Sequence, residues 1–524
     1  MPAQNTLINL LSKTVHVQGM RTALLEPRDG NSIYSLNFLE LWERIQQFAG
    51  YVQQQQLKAG DRILLWHSSR IDWLIAYFGS LLVGVVVVPL DVNSRNDFIE
   101  KVIAITDSKY IITSQKQFNT LKNVSIPFID IDALPQQAVD EKTLPVIQEN
   151  DLAQIMFTSG TTGSPKGVML THRNIASNAL SALQVVEVQS SDRLLSILPL
   201  SHMFELTIEI AVLTIGASII YARSLSPDTL LNLFATQHAT CMVLVPQALQ
   251  LFLNGIEREV RRQKRERQWE LLHTIAARLP FGLRRRLFAQ VHQRFGGHIH
   301  FFVSGGAYLS PKLAQRWKEM GFLLIQGYGS TECSPIVSVT PMHSDNLASI
   351  GKPIPGVDVR IAPDKEILVH GPNVALGYWE NPEATALAFQ DGWYHTGDLG
   401  EFDAQDYLYL RGRKKNMIVL PNGLNVFPED IENILTGIPG VKDAVVIGLS
   451  EAEQDPQVHA ILLLDDASKA KAIVQQTNKQ LAAHQQIKGY TIWPHEDFPR
   501  THTLKVKRQD LVQELPAIRK QQAQ

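Results

Sequence analysis

The chain has 524 residues, and its 49 Lys+Arg against 51 Asp+Glu leave a net charge of −2, which excludes a global electrostatic attraction to nucleic acid or to strongly acidic partners. That length can bury a large core and divide into more than one domain. Only two cysteines occur, Cys241 and Cys333, far apart and in apolar or motif contexts, so neither a disulfide framework nor a metal cluster is expected and a reducing cytoplasm fits. The stretch Met1–Leu7 has no basic region followed by an apolar core, and no signal peptide is expected there.

In chain order, Leu36 to Gln56 carries helical spacing, Gly60-Asp61 marks a turn, and Ile63–Trp66, Lys109–Thr113 and Phe128–Ile131 read as strands. Alternation of helix and strand predicts an α/β sheet covered on both faces. The uncharged run from Trp73 to Leu90 is 18 residues long, enough by length alone to suggest a membrane span. Gly84, however, divides it into a helical half and a β-branched half closed by Pro89, which predicts a buried helix feeding a buried parallel strand.

Next comes Ile155-Met-Phe-Thr-Ser-Gly-Thr-Thr-Gly-Ser-Pro-Lys-Gly-Val-Met-Leu170. Small residues let backbone N–H groups approach an anion, hydroxyls add donors and Lys166 adds a positive charge, the chemistry of a polyphosphate cradle. A Walker A loop is excluded, since Pro165 precedes the lysine and Gly167 follows it. Gly167–Leu170 reads as a strand, so the loop should join two strands. A short Ser/Thr/Gly-rich loop is by itself more often an ordinary surface turn. The whole string is more specific, and resembles the signature loop of the adenylate-forming (AMP-binding) superfamily, which includes acyl-CoA ligases, luciferases and the adenylation domains of peptide synthetases. The resemblance extends from about residue 30 to about residue 512, and is nearest to the long-chain fatty acid–CoA ligase branch.

That resemblance implies a large, multi-layered α/β N-terminal domain (1–413) and a small mobile α+β C-terminal domain (414–524). It places Thr158, Ser159, Gly160, Thr161, Thr162, Gly163 and Lys166 on the phosphates of ATP. After it, Thr171 should cap a helix from His172 towards Val185. In Leu198-Pro-Leu-Ser-His-Met-Phe-Glu205, His202 matches a family histidine that faces the acid and the α-phosphate, although a lone histidine beside an apolar run is usually a core or capping residue.

Residues 257–287 form an arginine-rich helical region. One reading is a solvated helical pair with interleaved charges; the other is contact with an anionic membrane surface, which would place a cytoplasmic protein peripherally at a membrane. Val303-Ser-Gly-Gly-Ala307 ends a strand at bare backbone, and Gly327-Tyr-Gly-Ser-Thr-Glu332 follows. By resemblance, Gly306 and Ala307 line one side of the adenine, Tyr328 stacks on the other with Gly329 beside it, Thr331 touches phosphate oxygens, and Glu332 holds Mg²⁺. A hard cation of that kind prefers one carboxylate plus phosphate oxygens.

In Gly392-Trp-Tyr-His-Thr-Gly-Asp-Leu399 and Leu410-Arg-Gly-Arg-Lys-Lys-Asn-Met-Ile418, the resemblance gives Asp398 and Arg413 the ribose, and Lys415 the hinge. The turn at Asn422-Gly423 matches the loop that serves the thioester step, with Gly423 making room for the pantetheine arm. Glu429–Leu435 reads as a helix, Val441–Leu449 and His459–Leu464 as strands. Near the end, Phe498-Pro-Arg-Thr-His-Thr-Leu-Lys-Val-Lys-Arg508 places Lys505 as the adenylation lysine, with Lys507 second; Leu504 stands where the common family form has glycine.

The implied activity is an AMP-forming ligase that activates a long- or medium-chain fatty acid with ATP and Mg²⁺ and transfers the acyl group to coenzyme A. Transfer to a carrier protein, arrest at the acyl-adenylate, or a nucleotide-binding protein without turnover are the alternatives. No nucleic-acid partner is expected.

Overall fold

The computed structural model describes residues 5–28, 32–158, 165–420, 424–449, 456–500 and 506–522. The chain is mixed α/β, with a large N-terminal domain and a smaller C-terminal one. By its contacts it divides into two compact units, the first Met1–Leu309, Leu313–Val359 and Val369–His395, the second Ser310–Lys312, Arg360–Leu368 and Thr396–Gln524.

Two sheets organise the first unit. In the six-stranded sheet, Phe128–Asp130, Tyr110–Thr113, Arg62–Trp66, Val86–Leu90 and Leu152–Thr158 run parallel, and Lys166–Thr171 closes the edge antiparallel to Leu152–Thr158. In the nine-stranded sheet, six central strands (Leu323–Gly329, Phe301–Ser304, Cys241–Leu244, Arg193–Ser196, Ser218–Tyr221, Thr22–Pro27) are parallel neighbours. Their near-continuous apolar runs are what a sheet buried on both faces requires. The helices Phe38–Gln54, Ile71–Leu82, His172–Val185 and Met203–Thr214 contact strands of these sheets, and Ile71–Leu82 touches both.

Because side chains alternate along a strand, Met242, Leu244 and Phe302 point to the other face of the nine-stranded sheet, into a core with Leu249, Trp269, Phe295, Trp317 and Phe322. Trp317 is fully buried there, with ring centroids 5.2 to 5.9 Å from Phe322, Phe302 and Phe295.

The run Trp73–Leu90 divides as its composition predicts. Helix Ile71–Leu82 ends before Gly84, whose φ of +76° suits glycine, and strand Val86–Leu90 is wholly buried. Among the described residues no helix is long and apolar enough to cross a membrane. Thr171 caps the next helix through a capping box with Asn174.

Three expectations need correction. The helix expected from Leu36 begins at Phe38, because Leu36 and Asn37 belong to strand Ile33–Asn37, and Asn37 then caps the helix with Glu40. The strand expected to reach Ile131 stops at Asp130, whose carboxylate caps a tight turn. The arginine-rich region 257–287 is not a pair but spans three helices: the end of Pro246–Arg262, then Glu266–Ala276 and Phe281–Leu287.

The second unit holds a three-stranded sheet in which Val441–Leu449 pairs antiparallel with Gln457–Leu464, which pairs parallel with Gly489–Ile492. Period-2 alternation gives it two cores. Ala444, Val446, Ala460 and Leu462 pack with Ile431, Leu435, Ile473 and Val474 of helices Pro428–Thr436 and Ala470–Asn478. Val445, Ile461 and Leu463 pack with Leu511, Leu515 and Ile518 of helix Arg508–Gln522. Cys241 and Cys333 are both buried.

Candidate active site

The loop joins two strands. Thr158 ends one, Lys166 begins the next, and the two residues are register partners. Ser159, Gly160, Thr161, Thr162 and Gly163 lie outside the described residues, as do Gly423 and Lys505.

At the C-terminal ends of adjacent parallel strands, where open α/β sheets bind ligands, Ser304 pairs with Gln326. This register brings Gly305–Ala307 beside Gly327–Gly329. Both turns depend on missing side chains: a Cβ on Gly305 would sit 2.7 Å from the Phe204 ring, and one on Gly329 only 1.7 Å from the Pro335 carbonyl oxygen. Gly306 has φ +75°. Ala307 follows it half-buried, and Tyr328 lies in strand Leu323–Gly329 opposite Ser338. Thr331 and Glu332 occupy the single 3-10 turn that follows.

Glu332 and Lys166 meet on one residue that the sequence reading passed over. Tyr378 donates its hydroxyl to Glu332 Oε1 at 2.9 Å, and Lys166 Nζ stands 4.8 Å from the centroid of its ring. Burial first, then the neighbouring Glu332 carboxylate, push the Tyr378 hydroxyl well above the ordinary phenol range, so it remains a donor. The signal that could have found it is Gly377-Tyr378-Trp379, one residue ahead of Asn381-Pro382, a glycine and two aromatics before a helix cap.

His202 precedes helix Met203–Thr214 as its N-cap residue, and its Nε2 is 3.9 Å from Asp91 Oδ2. That is an electrostatic separation rather than hydrogen-bond geometry. Asp91 was a second residue missed, since nothing in its local sequence relates it to residue 202.

Next to Gly327 lies an apolar cavity of about 40 Å³, lined among others by Leu183, Phe204, Ile208, Val243, Val303 and Gly327. A Cβ on Gly327 would meet no atom within 4 Å.

In the second unit, Asp398 and Arg413 are direct cross-strand partners, and Arg413 Nε lies 2.8 Å from Asp398 Oδ1. The carboxylate is buried and the guanidinium half-exposed. Gly397, at φ +69°, donates its N–H to Glu366 Oε1 at 2.8 Å, which fixes the turn before Asp398. Lys414 donates to Asp364 at 2.6 Å and Glu366 at 3.1 Å, and Lys415 lies exposed in the turn Lys414–Asn416. Lys507 is exposed, with Nζ 3.8 Å from Asp510.

Among the described residues no cluster of three or more His, Cys, Asp or Glu could hold a metal unaided. A lone carboxylate such as Glu332 suits a Mg²⁺ that keeps most of its ligands as phosphate oxygens and water.

Residues 11–379 match the family model described as AMP-binding enzyme, and residues 430–505 match that of the AMP-binding enzyme C-terminal domain. The chain is 29% identical over 448 residues to the long-chain-fatty-acid–CoA ligase FadD15 of Mycobacterium bovis, covering 78% of this chain and 74% of that protein. It is 27% identical over 541 residues to the long-chain-fatty-acid–CoA ligase of Escherichia coli O157:H7, covering 91% and 89%. Among solved structures, ATP-bound MatB from Rhodopseudomonas palustris superposes with a TM-score of 0.81 at 25% identity, covering 97% of this chain and 98% of that one.

Proposed function

The chain belongs to the AMP-binding enzyme family, and from that premise we propose that it is an AMP-forming acyl-CoA synthetase that activates a long- or medium-chain fatty acid with ATP and passes the acyl group to coenzyme A. The observation that carries this reading is the cavity beside Gly327. It is lined by apolar side chains, and the strand that borders it runs straight into Thr331 and Glu332. An acid whose chain enters this cavity presents its carboxylate at the strand end where Glu332 and Lys166 share Tyr378. At about 40 Å³ the cavity has room for about three waters and is smaller than a long acyl chain, so a long chain must displace side chains of its lining.

Adenylation brings a carboxylate to the α-phosphorus of ATP, two anions that repel, so the protein contributes charge neutralisation and positioning. Lys166, with Thr158 and the loop residues 159–163, holds the β- and γ-phosphates. Gly306, Ala307, Tyr328 and Gly329 hold the adenine, and Asp398 and Arg413 the ribose. Glu332 would hold Mg²⁺, which when bound would supply positive charge against the leaving pyrophosphate. Thr331 and His202 orient the reacting groups, and Lys505 meets the α-phosphate and the acid.

For the thioester step, residues 414–524 act as a small domain that turns about Lys415, withdraws Lys505 and presents the Gly423 loop to the thiol.

We further assign residues 257–287 a peripheral contact with an anionic lipid surface, where a fatty acid is collected. Ten Lys and Arg against four Glu give this stretch a net +6. Helix Glu266–Ala276 buries Trp269, His273 and Ala276, so Leu271 and Ile275, 58% and 42% exposed, lie on its outward side. Sedimentation with anionic but not neutral liposomes at low salt is the expected result; equal sedimentation with both, or with neither, refutes the assignment.

One incubation tests the main reading: ATP, Mg²⁺ and a pool of acids from acetate to oleate plus aryl acids, with and without coenzyme A, read by mass spectrometry. Fatty acyl-CoA formed only with coenzyme A is expected. Acyl-adenylate that accumulates with coenzyme A unused would replace the acceptor by a carrier protein. ATP binding without pyrophosphate release would remove the enzymatic reading altogether.

A further inference from the structure

We propose that Tyr378 is a positioning residue that couples the phosphate-binding lysine to the metal-binding carboxylate, with the short segment Ala375–Trp379 as its mount. The proposal rests on the roles given above to Lys166 and Glu332.

The segment is stitched to both motifs. Leu376 N–H donates to Met169 O at 3.1 Å, Met169 N–H to Gly377 O at 3.0 Å, and Trp379 N–H to Gly167 O at 2.7 Å. It therefore lies as an added strand along the residues that follow Lys166. From its other end, Ala375 N–H donates to the Glu332 carbonyl at 2.8 Å. Behind Tyr378, its N–H donates to Thr385 Oγ1 at 2.9 Å, and a Cβ on Gly377 would strike the Thr385 methyl at 2.5 Å. Trp379 anchors the far side through its indole N–H to Ile105 O at 3.2 Å, with the Arg62 guanidinium 5.5 Å above its ring.

So mounted, the side chain does two separate things. Its hydroxyl occupies one Glu332 oxygen, which would leave the other for a cation, the role of the outer partners that orient metal ligands. Its ring face holds the Lys166 ammonium from one side, leaving N–H donors for phosphate. Residues 212 positions apart in sequence, Lys166 and Tyr378, and the intervening Glu332, are thereby fixed relative to one another by one phenol. A core tyrosine kept only for packing would need neither contact.

Two substitutions separate the roles. Tyr378→Phe keeps the ring under Lys166 and removes the hydroxyl from Glu332; Tyr378→Leu removes both. ATP affinity is measured by calorimetry with Mg²⁺ and with a chelator, beside the Mg²⁺ concentration that gives half-maximal adenylation and the Tm of each variant. Tyr378→Phe is expected to raise the Mg²⁺ requirement about 10- to 100-fold with metal-free ATP affinity unchanged. Tyr378→Leu is expected to add a weakening of metal-free ATP binding of about 2- to 30-fold. A Tyr378→Phe protein with the wild-type Mg²⁺ response overturns the coupling, as do two variants that lower Tm alone. Glu332→Gln and Lys166→Ala serve as references. If Glu332→Gln itself leaves the Mg²⁺ response intact, it is the metal assignment of Glu332 that falls.

Discussion

Helix Met203–Thr214, which starts at His202, carries two fully buried carboxyls, Glu205 and Glu209, one turn apart. Tyr221 donates its hydroxyl to Glu209 Oε2 at 2.6 Å, while Glu26, which also bears on Tyr221, is paired with Arg223 at 3.0 Å. Burial raises Glu209 from 4.5 to about 7, and burial reinforced by Glu209 raises Glu205 as well. A raised carboxyl binds its proton more tightly folded than unfolded. Its stabilisation is therefore complete below pH 4.5 and is lost as pH rises through about 7.

That rise corresponds to about 3 kcal/mol. Glu209→Gln keeps an oxygen for Tyr221 and removes the titration. The variant should match the wild type near pH 4 and exceed its stability by about 3 kcal/mol at pH 8, or about 3–6 °C in Tm for a unit this large. Calorimetric scans of both proteins at half-unit pH intervals measure the difference directly. A difference that stays constant from pH 4 to 8 would refute the reasoning. The double variant with Glu205→Gln should flatten the remaining slope.

Lys505→Ala should lower acyl-adenylate formation about 10²- to 10³-fold while sparing thioester formation from supplied acyl-adenylate, and equal damage to both half-reactions would reassign the lysine. Lys415→Pro should leave adenylation intact and depress the thioester step, as a hinge that must absorb a backbone rotation requires; an unchanged thioester rate moves the hinge elsewhere. Gly329→Ala places a methyl 1.7 Å from the Pro335 carbonyl, so the turn bearing Thr331 and Glu332 must shift. Pyrophosphate exchange should then fall about 100-fold, and retention of wild-type exchange would show that the turn tolerates displacement.

Local chemistry was legible wherever a few neighbouring residues suffice to define a conformation. Thr171 with Asn174 caps a helix, Gly84 divides the apolar run, and alternation in Val441–Leu449 and Gln457–Leu464 gives two faces, each set by dihedral preference or period alone. The motif order carried the family, because polyphosphate, adenine and ribose each demand particular residue types in a short string. Where two local patterns overlap, as at Leu36 and Asn37, helical spacing runs into a strand whose partner, Thr22–Pro27, is not adjacent to it in sequence.

Tertiary structure alone decided what long-range register and packing bring together. Tyr378 reaches Glu332 because residues 376–379 hydrogen-bond alongside residues 167–169. Asp91 stands near His202 because each follows the end of a strand, in different sheets. Glu205 and Glu209 look like polar punctuation on a helix until Tyr221 and the sheet close over them. Such contacts leave no local trace, since the free energy that holds them comes from surfaces buried by other parts of the chain.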